Sequence, residues 1–156
     1  MRRCRRCFFD PLLELYKKIR AFHAALLAYI GTDPYQGQWG SRSFFPQHTG
    51  YVNVGSEKTF VADKSGMLWL GINDDAITQS VQDNYGSLST VITINSGAPQ
   101  NFAVTANPLW TNTGITVNVG DIIHITASGT WVYMAGVSTD PNGIYDAEDD
   151  YDEFYN

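Results

Sequence analysis

The chain has 156 residues, of which 44% are hydrophobic, 13% aromatic and 17% charged. That is one domain's length, long enough to bury a core without disulfide or metal staples and too apolar for a disordered or coiled-coil protein. The net charge of -6 hides an asymmetry: seven of the ten Lys and Arg (Arg2, Arg3, Arg5, Arg6, Lys17, Lys18, Arg20) lie in the first twenty positions, while Asp146, Glu148, Asp149, Asp150, Asp152 and Glu153 crowd the last eleven. The middle has few cations and no basic stripe, so no nucleic-acid groove is expected.

Cys4 and Cys7 form a lone CxxC among arginines. Without a second pair or a βαβ context it reads as a terminus or a link to another subunit before it reads as a zinc or redox motif. Asp10 as N-cap, Pro11 at the first helical position and Leu12, Leu15, Tyr16 and Ile19 at helical spacing predict a short helix over 11–22. The apolar run from Ala21 to Ile30 falls short of the roughly 18 residues of a membrane span. It could pass for the apolar part of an export signal, but Gly31-Thr32-Asp33-Pro34 reads as a turn and not as a cleavage site. Within it, Ala24 to Ile30 fits either a helix or a buried strand.

Beyond residue 31 the chain turns to Gly, Pro, Gln and aromatics up to Gln47, an ordered loop, and then to strands. Lys58–Ala62, Met67–Ile72, Leu88–Ile94, Ile115–Val119, Ile122–Ala127 and Thr130–Met134 carry β-branched or aromatic residues between turn signals. Lys64-Ser65-Gly66, Val119-Gly120-Asp121 and Ser128-Gly129 are expected to close hairpins. Trp69 and Trp131, mid-strand between apolar neighbours, are expected in the core. Residues 96–106 read as a linker with a candidate edge strand at Phe102 and Val104. The fold class is therefore all-β, a β-sandwich or jelly roll with a short N-terminal helix. The expected domains are a basic segment 1–23, a sandwich 24–145 with halves 24–95 and 107–145, and an acidic tail 146–156.

Chemistry concentrates in one loop, Asn73 to Gly86, where Asp74, Asp75, Asp83 and Asn84 offer hard oxygen donors of the kind calcium takes. The spacing is not that of an EF-hand, and Asn and Asp also favour solvated turns, so both readings stand. His23, His48 and His124 flank no Ser or Cys nucleophile motif, and adjacent carboxylates in one loop do not make a glycosidase pair, so no enzyme is expected. Tyr35, Trp39, Tyr85, Trp110, Trp131 and Tyr133 supply aromatic faces that a sugar-binding surface would use, though most are expected in the core.

Three stretches together resemble the PA-I galactophilic lectin family: Met67-Leu68-Trp69-Leu70-Gly71-Ile72-Asn73-Asp74-Asp75, Asp83-Asn84-Tyr85-Gly86-Ser87-Leu88, and Trp110-Thr111-Asn112-Thr113-Gly114-Ile115 through Gly120-Asp121 to Ala127-Ser128-Gly129-Thr130-Trp131. The similarity covers about two thirds of the chain. It implies a small galactose-binding-like β-sandwich that holds a galactoside through calcium. The family's calcium loop falls on Asp74, Asp83 and Asn84, with backbone carbonyls near Ser80 or Val81 and from Tyr133, in a loop longer than the family usually has. The sugar-contacting turn falls on Thr139, Asp140 and Asn142, beside Tyr133, without the histidine some members place there. The family's halves are in swapped order, since here Tyr133 follows the acidic loop. A circularly permuted domain or a head-to-tail exchange between subunits would restore the fold. The resemblance thus implies a calcium-dependent, non-catalytic lectin with a glycan partner, extracellular or at the cell surface. The alternative is a structural subunit of an extracellular filament, a homo-oligomer built by strand exchange.

Overall fold

The computed structural model describes residues 24–34, 51–74, 83–134 and 136–144. The helix expected over 11–22, the cysteines and the acidic tail lie outside the described residues. Among the described residues nine strands follow one another: β1 Leu26–Gly31, β2 Tyr51–Asn53, β3 Glu57–Val61, β4 Gly66–Ile72, β5 Tyr85–Ile94, β6 Gln100–Thr105, β7 Trp110–Val117, β8 Ile122–Met134 and β9 Val137–Thr139. They form two antiparallel sheets, one ordered β2-β1-β4-β7 and the other β3-β8-β5-β6 with β9 also paired to β8. The fold is the all-β sandwich that the sequence predicts, and the described residues hold no helix.

Alternation decides which side chains meet between the sheets, because a strand turns successive residues to opposite faces. Leu26, Ala28 and Ile30 of β1 and Leu68, Leu70 and Ile72 of β4 are buried on the inner face of the first sheet. Leu88, Thr90 and Ile92 of β5 and Ile123, Ile125 and Trp131 of β8 are buried on the inner face of the second. Each such apolar side chain contributes about 1.5 to 3 kcal/mol on leaving water, which is what holds the two layers together. Thr90, the polar member of that face, donates its hydroxyl to Phe102 O at 3.2 Å.

Four sequence expectations need correction. Ser128-Gly129 is not a turn: β8 runs through it as one strand of 13 residues, with Ser128 opposite Ser89 and Gly129 opposite Leu88. Gly129 takes a φ of 105° within the strand, a conformation other residues rarely adopt. The turns at 62–65 and 118–121 do not close hairpins either. Each carries the chain from one sheet to the other, β3 to β4 and β7 to β8. Local turn residues reverse the chain, but the receiving sheet is chosen by where each strand's apolar face is buried. The candidate edge strand at Phe102 and Val104, by contrast, is present as β6 against β5.

The fourth correction is Trp69. It is only half-buried and shares the outer face of the first sheet with Tyr29, its partner across the β1/β4 pair. There Tyr29, Tyr51 and Trp110 pack with ring centroids 5.1 to 6.4 Å apart. Trp110 lies over Gly71, where a Cβ would come within 2.6 Å of the indole. Trp69 donates its indole N–H to Gly31 O at 3.1 Å, and the Lys64 ammonium sits 4.6 Å above the Tyr29 ring.

The sandwich has two distinct ends. At one, the two sheet crossings lie side by side, joined by Ala62 N–H to Asp121 O at 2.9 Å and Gly120 N–H to Ala62 O at 2.8 Å. At the other end β4 finishes at Ile72 and β5 begins at Tyr85. The acidic loop joins these two strands, so the candidate site belongs to that end.

Candidate cation site

Asp74 leaves the end of β4 as part of a short backbone exchange with the chain before β1. Ala24 N–H donates to Asn73 O at 2.7 Å, Asn73 N–H donates to Ala25 O at 2.9 Å, and Asp74 N–H donates back to Ile72 O at 3.1 Å. This continues the β1/β4 pairing past Leu26 and Ile72 and fixes the base of the Asp74 side chain, which is half-buried.

Asn84 precedes β5 and points inward, because it has the same parity as Leu88, Thr90 and Ile92 on that strand's inner face. It is 4% exposed. Its amide nitrogen donates to Asp74 Oδ2 at 2.8 Å and to Ala106 O at 3.4 Å. Both partners are acceptors, so the orientation of the amide is decided: a flipped group would set its oxygen against a carboxylate. Asn84 Oδ1 is thereby turned away from both, and it is buried with no hydrogen-bond partner. It is the single such side-chain atom among the described residues.

The pairing of β5 with β8 ends at Tyr85 opposite Val132. Tyr133 follows that last pair, at an irregularity in the β8/β9 register, and its side chain is buried at 5% exposure. Of the sequence-predicted residues, Asp74 and Asn84 are thus brought into contact, Asp83 precedes Asn84 and is exposed, and Tyr133 follows the last β5/β8 pair. Ser80 and Val81 lie outside the described residues. Sequence reasoning missed Ala106, whose carbonyl helps set the Asn84 amide and which is followed by a cis peptide bond between Asn107 and Pro108. No local signal marks a backbone carbonyl for that role.

The residues expected to touch sugar form a tight turn after β9. Asn142 N–H donates to Asp140 Oδ1 at 2.8 Å, Gly143 N–H donates to Asp140 O at 3.1 Å, and Thr139 donates its hydroxyl to the same carbonyl at 3.2 Å. Asn142 is exposed, yet its Oδ1 accepts from Ser56 N–H at 3.0 Å, and Pro141 O accepts from Leu26 N–H at 2.9 Å. This turn is fastened to Ser56, just before β3, and to the start of β1. Of the aromatics, Tyr85 stands out from the surface at 61% exposure, whereas Trp131 is fully enclosed and donates its indole N–H to Ala24 O at 2.9 Å.

An unpaired buried carbonyl oxygen ordinarily costs about 1 to 3 kcal/mol. Beside a carboxylate it is also the donor type that calcium takes, in a coordination shell that draws on Asn and backbone oxygens as readily as on carboxylates. The side chains present fit that ion. No group of three or more His, Cys, Asp and Glu occurs among the described residues; amide and carbonyl oxygens lie outside that set.

His124 lies elsewhere, on the outer face of the second sheet. Its Nδ1 is 2.8 Å from Thr59 Oγ1 and its Nε2 is 3.8 Å from Glu57 Oε1, the latter too long for a hydrogen bond. All three are on open strand surface. Among the described residues no helix is long and apolar enough to cross a membrane. Comparisons with family models, with curated proteins and with solved structures find no match to this chain.

Proposed function

We propose that this protein is a calcium-dependent carbohydrate-binding module that acts by binding and not by catalysis, outside the cell. The observation that carries the reading is Asn84 Oδ1, a buried oxygen without a donor, held next to the Asp74 carboxylate by its own amide group. Asp74, Asp83, Asn84 and the Tyr133 carbonyl would hold the ion. Calcium supplies a positive centre on which vicinal sugar hydroxyls can replace water. The chain's own residues do the orienting: Asp74 and Ala106 fix the amide, and the turn Thr139 to Asn142 borders the same end and offers the exposed Asp140 carboxylate and Asn142 amide to a glycan. A site for extracellular use needs only the modest affinity of extracellular calcium modules, about 10⁻⁴ to 10⁻³ M.

The test is thermal and chemical unfolding in calcium and in chelator, followed by a glycan array in both. Calcium at 100 times its dissociation constant should add about 2.7 kcal/mol to stability, and Asp74→Ala should remove the gain. Glycan binding should vanish in chelator. Equal stability in both buffers would rule calcium out.

The second reading, a filament subunit that keeps the fold for assembly, is favoured by the basic start and acidic finish of the sequence, which would steer copies head to tail. Sedimentation over a hundredfold concentration range separates the two, since a lectin domain closed on itself stays one size.

A further inference from the structure

The turn Thr139 to Gly143 does something besides border the cation end. β5 occupies one edge of β8 from Ile123 to Val132. The opposite edge is shared by β3, at Ile122 to Thr126, and by β9, at Trp131 to Met134. The turn after β9 falls between these two strands and is fastened at both sides. Asn142 Oδ1 takes the Ser56 N–H just before β3, and Ser56 O takes the Ala127 N–H in the middle of β8. Pro141 O takes the Leu26 N–H at the start of β1.

From there a contiguous set of bonds reaches the cation end. Leu26 follows Ala24 and Ala25, which exchange backbone bonds with Asn73. Ala24 O also holds the Trp131 indole at 2.9 Å, and Asp74, next to Asn73, holds the Asn84 amide. The segment of β8 that pairs with the start of β5, Trp131 and Val132, just before Tyr133, is the same segment that β9 clasps on its other edge.

We infer that Asn142 is a positioning residue for the cation site: it docks the arm Val137–Ile144 onto β1 and β3, and that docking holds the end of β8 where an ion can be shared between Asn84 and Tyr133. The inference rests on the calcium reading above. Docking and ion binding then favour the same state, and linkage makes the effect reciprocal: the ion fastens the arm by the same factor by which the docked arm tightens the ion. Asn142 touches no ion in this scheme. Its role is carried by the Oδ1 bond to Ser56, so aspartate in its place, which keeps an acceptor oxygen, should serve as well. Gly55, whose Cβ would meet Asn142 Oδ1 at 2.8 Å, leaves the room for that bond.

The experiment is amide hydrogen exchange and calorimetric calcium titration on the full chain, comparing wild type, Asn142→Ala and Asn142→Asp. Calcium should slow exchange in residues 137–144 of the wild type about tenfold. Asn142→Ala should weaken calcium binding by a similar factor, within the roughly 5- to 150-fold range usual for coupled sites, and Asn142→Asp should restore it. A wild type that binds no calcium overturns the function proposed above and this inference with it. A wild type that binds calcium without slowing exchange in 137–144 overturns the inference alone and leaves that function standing. Calcium binding by Asn142→Ala as tight as that of the wild type overturns it in the same way. Should Asn142→Ala fail to fold, the wild-type exchange and the Asn142→Asp titration still decide the matter.

Discussion

The two ends of the sandwich handle buried and turn-forming polar groups in opposite ways. At the crossing end, polar side chains find partners. Asp121 accepts from Asn118 N–H at 2.7 Å and from the Asn95 amide at 2.6 Å. Asn95 Oδ1 accepts from Ile122 N–H at 2.8 Å, and Ser65 Oγ accepts from Val119 N–H at 2.9 Å. That end can be built from this chain's own groups. At the acidic end the pairing stops one bond short, at Asn84 Oδ1. The acidic end keeps a buried, unpaired acceptor beside the Asp74 carboxylate, and the proposed calcium site rests on that contrast.

The largest effect should come from the pin between the halves at the acidic end. Trp131→Ala removes an indole that is 1% exposed together with its bond to Ala24 O, and should cost about 3 to 5 kcal/mol. Denaturant unfolding measures it, and a cost below about 1 kcal/mol would mean that the acidic end is not held by this ring.

Next, Asn84→Leu should behave differently in the two buffers. In saturating calcium it should forfeit the ion's stabilisation, about 2.7 kcal/mol at 100 times the dissociation constant. In chelator the change should be within about 1 kcal/mol, because the loss of the donor to Asp74 is offset by removal of an unpaired acceptor. Equal losses in both would make Asn84 an ordinary core residue.

A smaller loss is expected at the crossing end. Asn95→Ala deletes two hydrogen bonds and places alanine at a φ of 50°, so about 1 to 3 kcal/mol should be lost regardless of calcium. The smallest effect is on titration. The Asn118 backbone N–H, and after it the Asn95 amide, hold the Asp121 carboxyl below the usual carboxylate range. A depressed carboxylate stabilises the fold above its unfolded pKa, and that contribution is lost as pH falls through the lower folded value. In Asn95→Ala the Asp121 carboxyl should titrate at higher pH by NMR. An unmoved titration would leave Asn118 as its sole support.

Much of the fold was legible in the sequence because alternation is local. β4 reads directly from Met67 to Ile72, and β5 from the Leu88, Thr90 and Ile92 series. What was hidden depended on distant partners. Nothing near Gly120 says that β8 joins the other sheet, and nothing near Gly129 says that Ser89 lies opposite Ser128. Trp69 reads as core because its neighbours Leu68 and Leu70 are, yet parity puts it on the outer face. At the candidate site Asp74 and Asn84 were readable as oxygen donors. The unpaired amide oxygen was not, since it arises only when Ala106 and Asp74 both take the same amide nitrogen. Asn142, which the resemblance gives to sugar, carries a bond to Ser56 across 86 positions of chain, which no local pattern announces.

The most direct test of the central claim is equilibrium dialysis with labelled calcium on wild type and Asn84→Leu, each verified as folded by circular dichroism. If the unpaired oxygen is an ion ligand, the wild type takes up one calcium per chain and the folded variant takes up none or binds at least about tenfold more weakly. Equal uptake by the two would contradict that claim.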